Sequence, residues 1–219
     1  LSYSPSKSVI VETYKKKQVN QICGDGFFQN GKLVNFTTGD GLFHNEELQI
    51  PYAEFFPSTH PKDLISKAKL LVEKILKLSG FVKGTINFDI IISEGKPFVI
   101  EVGPRSGGNF MSEIIRKHNG IDLIDAFIET FTNKKYEFSQ QERNQRFVAS
   151  YMIHSMENGV FKKIIIDEKL KPFIYDEILF INPGESIRRF SQGSDAIGNI
   201  KLEFPSKKIQ ISIMKSING

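Results

Sequence analysis

Two acids stand inside apolar runs, Asp89 in Asn87-Phe88-Asp89-Ile90-Ile91 and Glu101 in Phe98-Val99-Ile100-Glu101-Val102, twelve residues apart. A carboxylate among apolar neighbours is costly unless something pairs with it. Side chains alternate faces along a strand, so Asn87, Asp89 and Ile91 share one face, and Val99, Glu101 and Gly103 share one face of the next strand. If the turn Glu94-Gly95-Lys96 sets Asp89 opposite Glu101, the facing carboxylates need a cation or a shared proton. Two acidic oxygen donors suit Mg²⁺ held together with phosphate oxygens. The alternative is that one acid pairs with a lysine while the other lies at a sheet edge. Arg105 follows Glu101 by four positions, and a guanidinium fits planar oxyanions. Gly107-Gly108 behind it lets backbone approach a ligand closely, or simply makes a turn.

Other residues carry weaker chemistry. Cys23 is the sole cysteine, which excludes an internal disulfide and a multi-cysteine zinc site, and it reads as a small buried hydrophobe. His44 lies in a long irregular segment, whereas His60, His118 and His154 show no ligand spacing. Lys15-Lys16-Lys17 reads as a solvated turn, Arg188-Arg189 has no partner legible in the sequence, and there is no Gly-x-Ser-x-Gly elbow for a serine nucleophile. The 219 residues carry 29 Lys+Arg against 25 Asp+Glu, a net charge of only +4, so a nucleic-acid partner is not implied. With 40% hydrophobic and 25% charged residues the composition is that of a globular protein. No apolar run approaches the roughly 18 residues of a spanning helix.

The elements that must position these groups follow from periodicity and turn chemistry. Residues 8–43 read as strands, beginning with Val9-Ile10-Val11 and including a hairpin turned by Asn30-Gly31. Residues 39–57 lack a lasting period and read as a long loop or lid. Pro61 opens a helix capped by Thr59 or His60, with Leu64, Ala68, Leu71, Ile75 and Leu78 as its apolar face and Gly80 as its end. Strands over 85–93 and 97–102 form the hairpin that carries the acids. Helices follow over about 111–118 and 121–131, then a polar boundary at Asn133-Lys134-Lys135 and residues 139–144. The remainder reads as β-rich, with strands over 147–154, 160–166, 177–181 and 209–213. There is no internal repeat.

An acid in a strand, a hairpin, and then Glu101-Val102-Gly103-Pro104-Arg105 resembles the ATP-grasp ligases, whose usual form is Glu-x-Asn-Pro-Arg. The separation of the acids resembles that of the metal-binding pair in biotin carboxylase. Gly107-Gly108-Asn109 with Gly120-Ile121-Asp122-Leu123 resembles the branch that holds the L-amino acid ligases and proteins similar to the carbamoyl phosphate synthase large subunit. The resemblance implies an α+β fold: an ATP-grasp large subdomain, antiparallel sheet with helices, over residues 1–137, and a small β-rich C-terminal domain over 138–219. It implies Mg²⁺ or Mn²⁺ on Asp89 and Glu101, and Arg105 on the transferred phosphoryl group or an acyl phosphate. Val9 to Tyr14 is similar to the family's hinge strand, which gives Glu12, Thr13 and Lys15 to the adenine of ATP. The ribose contact, near Gln18, Val19 or Gln21, is not assigned. His44, Gly107, Gly108 and Asn109 become candidates for substrate or metal.

Gly103 departs from the family by replacing the usual Asn, so Asn109, another residue, water or phosphate must complete the metal's shell. The small ATP-binding subdomain and the domain before it belong N-terminal to the hinge, so missing N-terminal domains of the same chain are expected, and the fragment alone is expected to be inactive. The implied function is carbon–nitrogen ligation of a small carboxylate and an amine through an acyl phosphate, in the cytoplasm, with no membrane partner and with room for an oligomer. The alternative is a non-catalytic nucleotide- or metabolite-binding module.

Overall fold

The computed structural model describes residues 4–44, 49–132, 136–138 and 145–217. Its frame is an antiparallel eight-stranded sheet. In chain order the elements are β1 (Gln21–Gln29), β2 (Lys32–Leu42), β3 (Ala53–Phe56), α1 (Lys62–Leu78), β4 (Lys83–Ser93), β5 (Lys96–Gly103), α2 (Met111–Asn119), α3 (Leu123–Glu129), β6 (Phe147–Ile153), β7 (Gly159–Val160), β8 (Ile174–Leu179), β9 (Ser186–Ile187), β10 (Gly198–Phe204) and α4 (Lys207–Ser216). The sheet order is β5-β4-β1-β2-β3-β6-β10-β8, and β7 and β9 form a separate ribbon. This mixed architecture of antiparallel sheet and helices is the class expected from the sequence.

Both hairpin turns are where turn chemistry puts them. Asn30 and Gly31 have φ of 52° and 74°, and Glu94 and Gly95 have 52° and 69°, the left-handed pairs that match strand twist in two-residue hairpins. Alternation along β1 sends Ile22 and Phe28 to a core under α1, with Ala68, Val72, Phe88 and Ile90. It sends Cys23 and Phe27 to the opposite face, where α2 and α3 contribute Met111, Ile114, Ile115, Leu123 and Ala126. A third core joins β3, β6 and β10 to α4.

Several expectations fail for identifiable reasons. Val9-Ile10-Val11 is not a strand: it is irregular and exposed, with Ile10 88% and Val11 89% exposed. The irregular segment 39–57 contains the end of β2 and all of β3, whose four residues are buried and therefore show no alternation. α1 is capped by Pro61 and buries Ala68, Val72 and Leu76, while Leu71, Ile75 and Leu78 are 38%, 40% and 79% exposed, so the buried stripe is rotated by about one residue. Ser58 and Thr59 instead donate to the buried carboxylate of Asp40. The strand expected over 160–166 shrinks to Gly159–Val160, and that over 177–181 begins earlier, at Ile174. The strand expected over 209–213 is helix α4. Ser206 Oγ accepts from the Ile209 N–H, and Gln210 and Met214, one helical turn apart, are its buried residues. The polar boundary at 133–135 and 139–144 lies outside the described residues. On either side of it the sheet is continuous, because β3 pairs with β6. Among the described residues no helix is long and apolar enough to cross a membrane.

Candidate phosphate and metal site

The tight turn sets Ser93 opposite Lys96 and, in unbroken register, Ile90 opposite Val99. A bulge between Ile90 and Asp89 then leaves Ile100 extra on β5, and this shift brings Asp89 opposite Glu101. The extra residue on β5 bends the edge of the sheet beside the two acids. Arg105 leaves the end of β5 and returns over it, with its guanidinium 3.7 Å from the Glu101 carboxylate. Both side chains are more than half exposed, so the pair is available to a ligand. Asp89 sits deeper and accepts a hydrogen bond from Gln21 Nε2 at 2.7 Å. Burial pushes the Asp89 carboxyl above its ordinary value and the Glu101 charge adds to this, while the Gln21 hydrogen bond and Arg105 oppose it.

Two further acids belong to the same sheet face, and sequence reasoning missed both. Asp25 on β1 is wholly buried, and burial raises it to about 6 against the hydrogen bonds from Gly107 and Asn87. Glu54 on β3 is raised to about 8, first by burial and then by the Asp89 and Asp25 charges; the Cys23 thiol donates to it and works the other way. Asp25 lies in Gly24-Asp25-Gly26, which has the composition of a turn, and Glu54 lies in the segment without a period. Alternation was the available signal for Asp25: it places Cys23, Asp25 and Phe27 on one face. Cys23 itself is buried, and its thiol is raised by burial and the surrounding acids, which makes it inert.

The remaining candidates divide. Gly103 lies between the charged groups, since a side chain there would stand 3.6 Å from Glu101 Oε1 and from Arg105. Gly107 packs onto Asp25. Asn109 and Phe110 both take left-handed backbone, and the Asn109 carbonyl accepts from Ser150 Oγ at 3.1 Å. Glu12 and Thr13 are on the exposed irregular segment. Lys15 lies by the β4–β5 turn, 3.6 Å from Glu94 and over the Phe98 ring. His44 stands apart from these groups in a different pair, its Nε2 2.6 Å from that of His154 and its ring against Tyr52. Since His154 Nδ1 lies 2.6 Å from the Met152 carbonyl and donates to it, neutral His154 accepts from His44.

Asp89 and Glu101 fit a hard cation as donors, because Mg²⁺ commonly takes one or two carboxylates and completes its shell with water and phosphate oxygens. Among the described residues no group of three or more His, Cys, Asp and Glu side chains could hold a metal without such outside ligands. A cavity of about 720 Å³ lies elsewhere, between the end of α2 and strands β8 and β10. Its lining cations are already paired: Lys201 with Glu113 and Asp176, Arg116 with Asp122, and Lys117 and Arg146 with Glu203.

No family model matches the chain. An uncharacterized protein, y4rH, of Sinorhizobium fredii (strain NBRC 101917 / NGR234) is 26% identical over 162 residues, 73% of this chain and 34% of that protein. Among solved structures, the L-amino acid ligase of Bacillus licheniformis superposes with a TM-score of 0.78 at 18% identity, over 91% of this chain and 50% of that one. Phosphoribosylglycinamide synthetase of Anaerococcus prevotii gives 0.74 at 18% identity, over 90% and 51%. The biotin carboxylase domain of the Hydrogenobacter thermophilus 2-oxoglutarate carboxylase, a dimer in complex with MgADP, ADP and bicarbonate, gives 0.62 at 16% identity, over 90% and 43%. The likeness shows the fold alone, shared with these ligase, synthetase and carboxylase structures, and the chain spans about half the length of these structures and about a third of y4rH.

Proposed function

We propose that the chain supplies the metal- and phosphate-binding part of an ATP-dependent carboxylate–amine ligase that works through an acyl phosphate. The observation that supports this best is the facing pair Asp89 and Glu101 with Arg105 held 3.7 Å from the latter. Asp89 and Glu101 would hold Mg²⁺ or Mn²⁺, which when bound neutralises charge on the phosphates of ATP. Arg105 offers two parallel N–H donors to the oxyanions of the transferred phosphoryl group and of the acyl phosphate. Gly103, with no side chain, leaves the space between Glu101 and Arg105 to ligand oxygens or water. Glu12, Thr13 and Lys15 form the adenine rim, the last two through backbone groups. Gly107, Gly108 and Asn109 are the candidates for contact with the small carboxylate or amine, and His44 is a further candidate from its separate pair with His154.

In this reading residues 1–137 act as the large ATP-binding subdomain and 138–219 as the companion domain. The part of the ATP clamp that covers the phosphates comes from other sequence of the same protein, which the half-length coverage of the solved structures supports. The setting is cytoplasmic, with small-molecule partners, no nucleic acid and no membrane, and self-association is compatible with it. The 219-residue chain alone binds ATP weakly and turns over nothing. Gly103 in place of the family's Asn favours one other reading, a nucleotide-binding module without turnover.

The test is ADP release by the full-length protein with Mg²⁺, ATP and a panel of carboxylates and amines. Release that requires both a carboxylate and an amine is expected. Nucleotide binding without any turnover across the panel would favour the binding module, and rapid product formation by the 219-residue chain alone would overturn the divided clamp.

A further inference from the structure

Asp25 faces Asn87 across the β1–β4 pairing, and the pair forms a small polar seat in the sheet. Asn87 Nδ2 donates to Asp25 Oδ1 at 3.0 Å and to the Gly24 carbonyl at 3.2 Å. The Gly107 N–H reaches both carboxylate oxygens, at 3.0 and 2.9 Å. The two glycines after Arg105 are therefore not equivalent. A Cβ at Gly107 would stand 2.8 Å from Asp25 Oδ1, 2.9 Å from Asn87 Nδ2 and 3.0 Å from Met111 Cβ, whereas one at Gly108 would meet nothing within 4 Å. Gly107 is docked and Gly108 is open.

Docking at Gly107 fixes the backbone two residues beyond Arg105 and four before α2. Ser150 secures the next stretch through the Asn109 carbonyl, and the Met111 N–H closes on the Gly108 carbonyl at 2.9 Å. A wholly buried carboxylate is expensive in an interior strand, and an apolar residue would serve packing alone better. A charge-assisted hydrogen bond to backbone N–H is what the acid contributes. We propose that Asp25, seated with Asn87, is a positioning residue that acts through the Gly107 amide to hold Arg105 where it meets the terminal phosphoryl group. The proposal rests on the ligase reading above and deepens it.

The test compares wild type, Asp25→Asn, Arg105→Lys and their double mutant in the full-length protein, measuring binding of MgADP and of Mg²⁺ with β,γ-imido-ATP, and deuterium uptake over residues 104–110. In Asp25→Asn a donor replaces one acceptor oxygen opposite Asn87 and Gly107. Uptake should rise, MgADP affinity should stay within about twofold, and affinity for the imido analogue should fall about tenfold, as expected when a charged hydrogen-bonding partner is misplaced. Arg105→Lys should show the same split, and the double mutant should lose little more, because both lesions act on one contact. If Asp25→Asn fails to fold, Asn87→Ser carries the same comparison with a smaller split in the same direction. A wild type that prefers the imido analogue to MgADP, with the preference intact in the seat variants, would overturn the proposal alone. A wild type that binds neither nucleotide, or does not distinguish them, would overturn the ligase reading and the proposal together.

Discussion

The sheet face that packs α2 and α3 treats charge in opposite ways at its two ends. Toward β10 and β8 the charges beside α2 meet their opposites. Lys201, whose side chain is only 6% exposed, binds Glu113 and Asp176, and Glu203 is held by Lys117 at 2.9 Å and Arg146 at 3.2 Å. Toward β5, β4 and β1, with β3 beside them, acids accumulate: beyond the effect of burial, Asp89 raises the carboxyls of Asp25 and Glu54, Asp25 adds to Glu54, Glu101 raises Asp89, and Arg105 is the cation whose field reaches Asp25 and Asp89. Neutralised charges tie elements together. Acids left without matched cations cost stability, and they are understandable where a ligand supplies the missing charge.

The largest expected effect comes from the acidic end. Glu101→Gln in the full-length protein should lower ATP-dependent turnover by about 10² to 10³-fold, since electrostatic help is lost as phosphoryl charge develops. The melting temperature should barely move, because the Glu101 side chain is 59% exposed. Unchanged turnover would remove Glu101 from the site.

Glu54→Gln sharpens the comparison through pH. The Glu54 carboxyl is raised from 4.5 to about 8, so the folded chain binds more protons than the unfolded one in that window. Stability from this group is thus fully present below pH 4.5 and is lost as pH rises through about 8. The neutral variant should therefore resist urea better than wild type at pH 9, by on the order of a few kcal/mol, and gain little at pH 4. Parallel pH profiles for the two proteins would contradict the charge crowding.

At the neutralised end the sign reverses. Lys201→Met should destabilise the chain by about 1–2 kcal/mol, a modest loss because the acids it leaves are half exposed, and denaturant titration would read it. MgADP affinity should not change, and a change would mean that the two ends are coupled. The smallest effect is direct cation binding. At about five times its dissociation constant, Mg²⁺ should stabilise the chain by roughly 1 kcal/mol, and Asp89→Asn should abolish the shift seen in thermal melts with and without EDTA.

The acidic end was partly legible in the sequence. Alternation puts both acids on the ligand face, and a turn of three residues, Glu94-Gly95-Lys96, would set Asp89 opposite Glu101; the turn has two, Glu94-Gly95, from which a regular ladder would set Asp89 opposite Ile100, so the pairing with Glu101 is owed to the bulge. The bulge after Asp89 was not legible, since it depends on how the sheet edge packs. Nor was the company of Asp25 and Glu54, which reach the site only through a sheet order that brings β1 and β3 beside strands distant in sequence. The hinge strand expected at Val9-Ile10-Val11 shows the limit of composition, because an apolar run becomes a strand only where another strand pairs with it. At α4, Ile209-Gln210-Ile211-Ser212-Ile213 alternates like a strand, yet the Ser206 cap and the burial of Gln210 and Met214 impose the helical period. Gln210 then donates to the carbonyls of Phe56 and Val148.

β3 is short, but it joins the two ends of the sheet. Its residues pair with β2 on one side and β6 on the other, so Phe55 bonds into register with both Asp40 and Ala149. A rung that spans nearly a hundred residues of chain forms late and slowly, because loop closure must precede its reward. Once formed, it makes residues before and after the expected division at 137 and 138 lose structure in a single transition. The amides of Ala53–Phe56 should consequently exchange with solvent only through global opening, and their protection reads the stability of the whole sheet.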